Sequence, residues 1–196
     1  FRLQDDKFSL ISNTQGKQIN AIHSAEKIFL ATQNGELLEV QNDSAKVIAG
    51  LDIPLTSIVV KDEQTYFGSE GRGLFELKNG EAKEIKVSFR PYFINDLALA
   101  NDGSIWLASR VKSADSGLFG YFPNADFGRF GNQTGTINSV EFDEKDNLWL
   151  GTKDSGVFSF RGGNESAHYT FENTSGGLRS NQIFDVFVDR EGVIWF

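Results

Sequence analysis

The sequence predicts an all-β fold, a β-propeller built from four-stranded blades, and three observations support this. An aromatic-centred strand recurs every 40 or so residues (about one propeller blade), the turns are rich in Gly, Asn and Asp, and no segment keeps a helical apolar period. The central aromatic residues of this strand are Phe29, Tyr66, Trp106, Trp149 and Trp195. Because one four-stranded blade cannot cover both of its faces, such repeats are expected to stack face to face.

Each aromatic strand has a predictable set of partners. An upstream strand carries apolar residues at its first and fourth places, a third strand follows a glycine, and a weaker fourth strand comes next. The predicted first strands are Ile19–Ile22, Leu55–Ile58, Ile94–Leu97, Ile137–Val140 and Ile183–Val186. The small residues after the aromatic centre, such as Ala108 and Gly151, are expected to allow close approach between blades.

This spacing divides the chain into about five blade equivalents. We assign a partial blade to residues 1–15, blades to 16–49, 50–87, 88–131 and 132–172, and a second partial blade to 173–196. Both ends fall inside a motif and the first residue is Phe1, so we expect a fragment of a larger propeller cut from a longer precursor. A closed five-bladed ring is the alternative.

Composition and charge disfavour several partners. The net charge is −8 and the 19 Lys and Arg residues are scattered, which argues against nucleic acid and against anionic membrane surfaces. No apolar run approaches the roughly 20 residues that span a bilayer. The chain has no Cys, which excludes disulfides.

A search for catalytic and metal-binding motifs predicts no catalytic residue, no metal site and no cofactor. His23 and His168 are the only histidines, and they lack metal-ligand spacing. Asp143 and Asn147 fit turn capping better than a calcium loop. The three Trp residues of the aromatic strands are interpreted as packing residues.

The segment 177–195, which reads GLRSNQIFDVFVDREGVIW, closely resembles the two-component regulator propeller repeat. Residues 135–152 match the second half of that repeat, with Asp143, Trp149, Gly151 and Thr152 in place. The copies around Phe29 and Tyr66 are degenerate. The resemblance covers nearly the whole chain, most strongly its last third.

This resemblance implies a role as well as a fold. Such repeats are typical of the extracytoplasmic sensor regions of bacterial hybrid two-component systems, many of which respond to oligosaccharides. It therefore implies a periplasmic segment of an inner-membrane receptor that forms a homodimer through the full sensor region, with a histidine kinase elsewhere in the full-length protein. The segment itself is expected to be no enzyme and to span no membrane, and the full sensor region would hold many more repeats.

The candidate ligand site lies where loops gather on one face of the blades. In propellers, the loops entering the first strand and those joining the second strand to the third share a face, and the longest of the latter here covers residues 110–116. Arg, Tyr and amide side chains suit a polar or acidic sugar. The predicted ligand-binding residues are Arg72, Arg90, Tyr92, Arg110, Lys112, Lys153, Asp154, Arg179 and Asn181. The same loops also carry Gln33, Glu70 and Asn138.

Two other functions stay open at the level of sequence. One is a propeller enzyme of the streptogramin-lyase type, which needs a polar centre with His and usually a divalent ion. The other is a protein-interaction scaffold that uses the same face or the exposed strand edges.

Overall fold

The computed structural model describes residues 2–24, 26–86, 92–110, 117–122, 128–130 and 136–196, and this part of the chain consists of strands and turns. Within those residues no helix is long and apolar enough to cross a membrane. The chain divides into two compact units, Phe1–Ile85 and Lys86–Phe196. We call them the first unit and the second unit.

The first unit contains a hairpin and two four-stranded antiparallel sheets. The hairpin is β1 (Arg2–Gln4) and β2 (Lys7–Ser9). The first sheet is β3 (Ile19–Ser24), β4 (Ile28–Thr32), β5 (Glu36–Gln41) and β6 (Ser44–Gly50). The second is β7 (Leu55–Lys61), β8 (Gln64–Ser69), β9 (Gly73–Lys78) and β10 (Glu81–Glu84). Their facing surfaces share one core, in which Leu37, Phe67 and Phe75 are buried.

The second unit repeats this plan. Its first sheet is β11 (Ile94–Leu99), β12 (Ile105–Ser109), β13 (Gly117–Tyr121) and β14 (Gly128–Phe130). Its second is β15 (Ile137–Phe142), β16 (Leu148–Thr152), β17 (Val157–Arg161) and β18 (Asn164–Tyr169). A short hairpin follows, β19 (Phe187–Val188) and β20 (Ile194–Trp195). Leu118, Val140 and Leu150 lie in the core between the two sheets.

The all-β prediction and the four-stranded antiparallel sheets are confirmed. The predicted first strand Ile183–Val186 is wrong, because pairing in this segment starts only at Phe187. In β15 the equivalent places pair with residues that follow Trp149, namely Leu150 and Thr152. Here the ladder pairs only Phe187 with Trp195 and Val188 with Ile194. The N–H of Ile183 donates instead to Thr152 O of the preceding sheet, at 2.8 Å.

A β-bulge recurs at one place in every complete first strand, and the sequence pattern did not reveal it. The register shifts between the first and third residues of β3, β7, β11 and β15, so the second residue stands outside the ladder. Asn20, Asn95 and Asn138 occupy this place in three of them. Their amide nitrogens donate to Leu55 O at 2.9 Å, Ile137 O at 2.7 Å and Ile183 O at 2.7 Å. Each of these three asparagines therefore ties its first strand to the start of the next first-strand segment.

The aromatic centres of the second strands behave differently along the chain. The packing role of Trp106 is confirmed by its edge-to-face contact with Phe130, at 4.8 Å between ring centroids. Trp149 stacks on Tyr169 at 6.3 Å. The packing role predicted for Trp195 is not seen, since this side chain is 59% exposed.

The turn role of Asp143 is confirmed. Its carboxylate accepts hydrogen bonds from the backbone N–H groups of Lys145 and Asn147 and from the indole of Trp149. Burial alone would raise the pKa of Asp143, but the bonds from Asn147 and Trp149 outweigh it and lower this pKa. Asp189 holds the indole of Trp195 in the same way, at 2.7 Å.

Candidate functional site

The second unit has a cleft of about 860 Å³ on the face where its loops enter the first strands. This size suits a small ligand. Of the described residues, those that line it are Phe93, Asn95, Arg110, Thr136, Asn138, Lys153, Gln182 and Phe184. We call it the second-unit cleft.

Three places in the repeat supply all eight side chains. The lead-in position, just before the first strand, gives Phe93, Thr136 and Gln182; the bulge position gives Asn95, Asn138 and Phe184; and the exit position, just after the second strand, gives Arg110 and Lys153. The cleft is thus a periodic surface of the blades.

Backbone hydrogen bonds fix these positions relative to one another. The N–H of Arg110 donates to Phe93 O at 3.1 Å, and the N–H of Lys153 donates to Thr136 O at 3.1 Å. The hydroxyl of Ser109 adds a second bond to Phe93 O, at 3.0 Å. Each exit residue is therefore clamped beside the lead-in residue of its own blade.

The cleft offers both aromatic and polar contacts. Phe184 is 78% exposed and Phe93 is 39% exposed, which leaves ring surface open to a ligand. The Asn95 and Asn138 amides each use one N–H in the strand links. An amide also has a second N–H and an acceptor oxygen, so both side chains can contribute to ligand recognition.

The second unit also contains a hydrogen-bonded group that the sequence analysis did not predict. It consists of the third residues of three first-strand segments, Asp96, Ser139 and Asp185. The hydroxyl of buried Ser139 lies 2.9 Å from both Asp96 Oδ2 and Asp185 Oδ1. The N–H of Val140 donates to Asp96 Oδ2 at 3.0 Å. Burial raises the pKa of Asp96 to about 7, and burial also raises the pKa of nearby Glu141.

The structure brings two of the predicted ligand-binding residues into the cleft, Arg110 and Lys153. Tyr92 is exposed next to Phe93 but does not line the cleft, and Asp154 is exposed and accepts a bond from Ser155 Oγ at 3.1 Å. Arg90 and Lys112 lie outside the described residues.

The remaining three predicted residues are not brought to the cleft. Arg72 lies in the first unit, with its guanidinium 5.4 Å from the Phe75 ring centroid. Arg179 is exposed in a different depression that shares Gln182 and Phe184 with the cleft. Asn181 is used in local structure, because it accepts from Phe171 N–H at 2.7 Å and donates to the Glu172 carboxylate at 3.1 Å.

The two histidines occupy structural places. His168 stacks on Phe158 at 3.8 Å between ring centroids, and its Nε2 lies 2.7 Å from Ser155 O. His23 pairs with Phe29 in the β3–β4 ladder, and burial lowers its pKa. In the described part of the chain, no group of three or more His, Asp or Glu side chains is arranged to hold a metal ion.

Comparison with solved structures identifies the fold. The chain matches the extracellular domain of a putative hybrid two-component system from Bacteroides thetaiotaomicron with a TM-score of 0.73 and 14% identity, over 95% of this chain and 26% of that one. It matches a gluconolactonase from Xanthomonas campestris with a TM-score of 0.75 and 15% identity, over 92% of this chain and 70% of that one. The chain has a β-propeller fold.

A third similar structure shares this fold and has another function. A streptogramin B lyase matches with a TM-score of 0.71 and 12% identity, over 91% of this chain and 61% of the lyase. No protein-family model and no curated protein matches the sequence. These three similar structures therefore combine an extracellular domain of a putative two-component system with two enzymes on one fold, which leaves function to be argued from the site.

Proposed function

We propose that this propeller is the ligand-sensing segment of a periplasmic two-component receptor, and that it binds an oligosaccharide in the second-unit cleft. The observation that carries the proposal is the pairing of exposed rings, Phe93 and Phe184, with amide and cationic side chains in one cleft. Sugar rings stack on aromatic faces through their C–H groups, while their hydroxyls need hydrogen-bonding partners.

The likeness to a two-component extracellular domain supports the receptor context. The chain spans 26% of the length of that domain, so the signalling role belongs to a longer assembly. The resemblance to the two-component regulator propeller repeat is strongest in the second unit, which also holds the cleft, and this supports the proposal.

The side chains of the cleft favour ligand binding over catalysis. The described residues that line the cleft include no carboxylate and no imidazole, and those groups carry most general acid–base catalysis. Release of product from a bound sugar, a lactone or a streptogramin in an assay with added Mg²⁺ would instead favour an enzyme like the gluconolactonase or the lyase.

Calorimetric titration with a panel of neutral and acidic oligosaccharides tests the proposal. We expect saturable binding of at least one member, and we expect Phe184→Ala and Phe93→Ala to weaken it about tenfold each, since each removes a stacking face. Phe8→Ala is the matched control, because Phe8 is 74% exposed and lies in the first unit. Absence of binding across the panel, or equal binding by the Phe184→Ala variant, would contradict the proposal.

A further inference from the structure

The charge of the second-unit cleft is opposite to that of the chain. The chain carries a net charge of −8, yet the charged side chains among the described lining residues are Arg110 and Lys153. Both stand at the exit position, where the first unit has Gln33 and Glu70. The positive charge is therefore specific to this cleft and is not a general property of the repeat.

Arg110 and Lys153 stand on backbone that is fixed by hydrogen bonds, and their charges favour a ligand with an anionic group. The hydrogen bonds of Arg110 N to Phe93 O and of Lys153 N to Thr136 O place them at equivalent points of adjacent blades. The guanidinium of Arg110 also lies 5.9 Å from the Phe93 ring centroid, which limits its movement. With the described residues, the Lys153 ammonium forms neither an ion pair nor a hydrogen bond.

We propose that the ligand of this cleft is an acidic saccharide, whose carboxylate or sulfate binds Arg110 and Lys153 while its sugar rings lie on Phe93 and Phe184. This inference rests on the proposed function and narrows its ligand class. A carboxylate or sulfate accepts several charge-assisted hydrogen bonds from guanidinium and ammonium groups. Asn95 and Asn138 line the same cleft and would bind ring hydroxyls.

The test uses pairs of saccharides that share a sugar backbone and differ in whether they carry the anionic group. Trigalacturonate is compared with its methyl ester, and a sulfated chondroitin disaccharide with its unsulfated counterpart, by calorimetry on the full 196-residue chain. We expect at least one acidic member to bind about tenfold or more tightly than its neutral partner. That difference should shrink as salt is raised from low to physiological concentration.

Variants assign the difference to the two cations. Lys153→Gln and Arg110→Gln should reduce the affinity for the acidic member to that for its neutral partner, and Lys153→Arg should retain the preference. Lys145→Gln is the control, because Lys145 is an exposed cation in the β15–β16 hairpin, outside the cleft. Circular dichroism of each variant verifies that it is folded.

The outcomes distinguish failure of the acidic-ligand proposal from failure of the proposed function. Equal binding of acidic and neutral partners, with loss of binding in Phe184→Ala, would overturn the acidic ligand and keep the oligosaccharide sensor. Binding of inorganic phosphate as tight as that of the acidic saccharide would overturn the saccharide class, since the rings would then play no part. Absence of any binding would overturn both proposals.

Discussion

Phe184 occupies a place that asparagine occupies in three other repeats. Asn20, Asn95 and Asn138 use this bulge position to tie neighbouring first strands together, whereas Phe184 cannot donate such a bond and leaves its ring 78% exposed. An exposed ring of this size gives nothing to core packing. The presence of an exposed ring where other repeats have a structural amide therefore indicates that Phe184 serves the ligand site.

Gly151 shows why a small residue follows the aromatic centre of a second strand. A Cβ added there would lie 2.8 Å from Ile183 Cγ2 and 3.1 Å from Val186 Cγ2. The branched side chain of Ile183 is stiff about its first torsion, so the contact cannot be relieved by moving a flexible tip. We therefore expect Gly151→Ala to lower the free energy of unfolding by about 1 to 3 kcal/mol, measured by urea denaturation.

Gly50→Ala is the matched control for this prediction. Gly50 also lies at a sheet position of ordinary backbone conformation, and its nearest neighbour to an added Cβ is Gly35 O at 3.6 Å. We expect its stability to stay constant or to rise slightly, because alanine restricts the unfolded chain. Equal destabilisation by both substitutions would show that close approach to Ile183 is not the cause.

In the second unit, Ser139 links the first-strand segments through Asp96 and Asp185, and this link requires one protonated carboxyl group. The Ser139 hydroxyl has a single hydrogen but lies 2.9 Å from a carboxylate oxygen of both Asp96 and Asp185. Both contacts are hydrogen bonds only when one carboxyl is protonated and donates to Ser139 Oγ. Burial assigns this proton to Asp96, whose pKa is raised to about 7. Glu141, whose pKa burial also raises, is a further acidic group near Asp185.

This proton predicts how stability depends on pH. The pKa of Asp96 is about 7 in the folded chain and 3.8 as an unperturbed group, so the unfolded state releases the proton first. Stability from this group is full below about pH 4 and is lost as pH rises from about 4 to about 7. Asp96→Asn should flatten that part of the profile, as followed by urea denaturation at several pH values.

The slope, and not the absolute stability, is the readout for Asp96. The Asp96 carboxylate accepts hydrogen bonds from the backbone N–H groups of Leu97 and Val140. In Asp96→Asn one of these two N–H groups loses its acceptor, so some loss of stability is expected at every pH. Glu144→Gln removes an exposed carboxylate of the same unit and should leave the slope unchanged. An Asp96→Asn profile with the slope of the wild type would show that this carboxyl does not hold the proton.

At the scale of the whole molecule, the strands were predictable and most of the cleft was not. Alternating apolar residues, Gly-rich turns and recurring aromatic centres identify the strands because each signal is local. Arg110 and Lys153 were predictable for the same reason, since they directly follow recognisable strands. Phe93 was missed because an aromatic residue beside a strand usually indicates core, and Phe184 was missed because it was assigned to the predicted first strand Ile183–Val186.

The bulge explains the rest of what sequence reasoning missed. A one-residue register shift turns the second residue of a first strand out of the ladder, and the alternating pattern gives no sign of it. Asn95 was therefore interpreted only as a strand residue, and the Ser139 link between two carboxylates was not anticipated. Aligning the repeats position by position would have shown Phe184 in place of asparagine.

The repeats also predict that ligand binding is confined to one of the two units. The first unit has the same lead-in, bulge and exit positions, filled by Gln18, Asn20, Gln33, Pro54, Thr56 and Glu70. They include no aromatic ring and no cation, and the Asn20 amide donates to Gln33 Oε1 at 3.1 Å.

Hydrogen exchange tests whether binding is confined to the second unit. We expect a saturating acidic saccharide from the titration panel to slow amide hydrogen exchange around Phe93–Asn95, Thr136–Asn138 and Lys153, because a ligand bound to the folded state suppresses local opening. Peptides that cover residues 18–33 and 54–70 should exchange at the same rate with and without it. Slower exchange in those first-unit peptides would show that the repeat positions bind sugar whatever side chains they carry, and that the rings and cations of the second unit do not select the site.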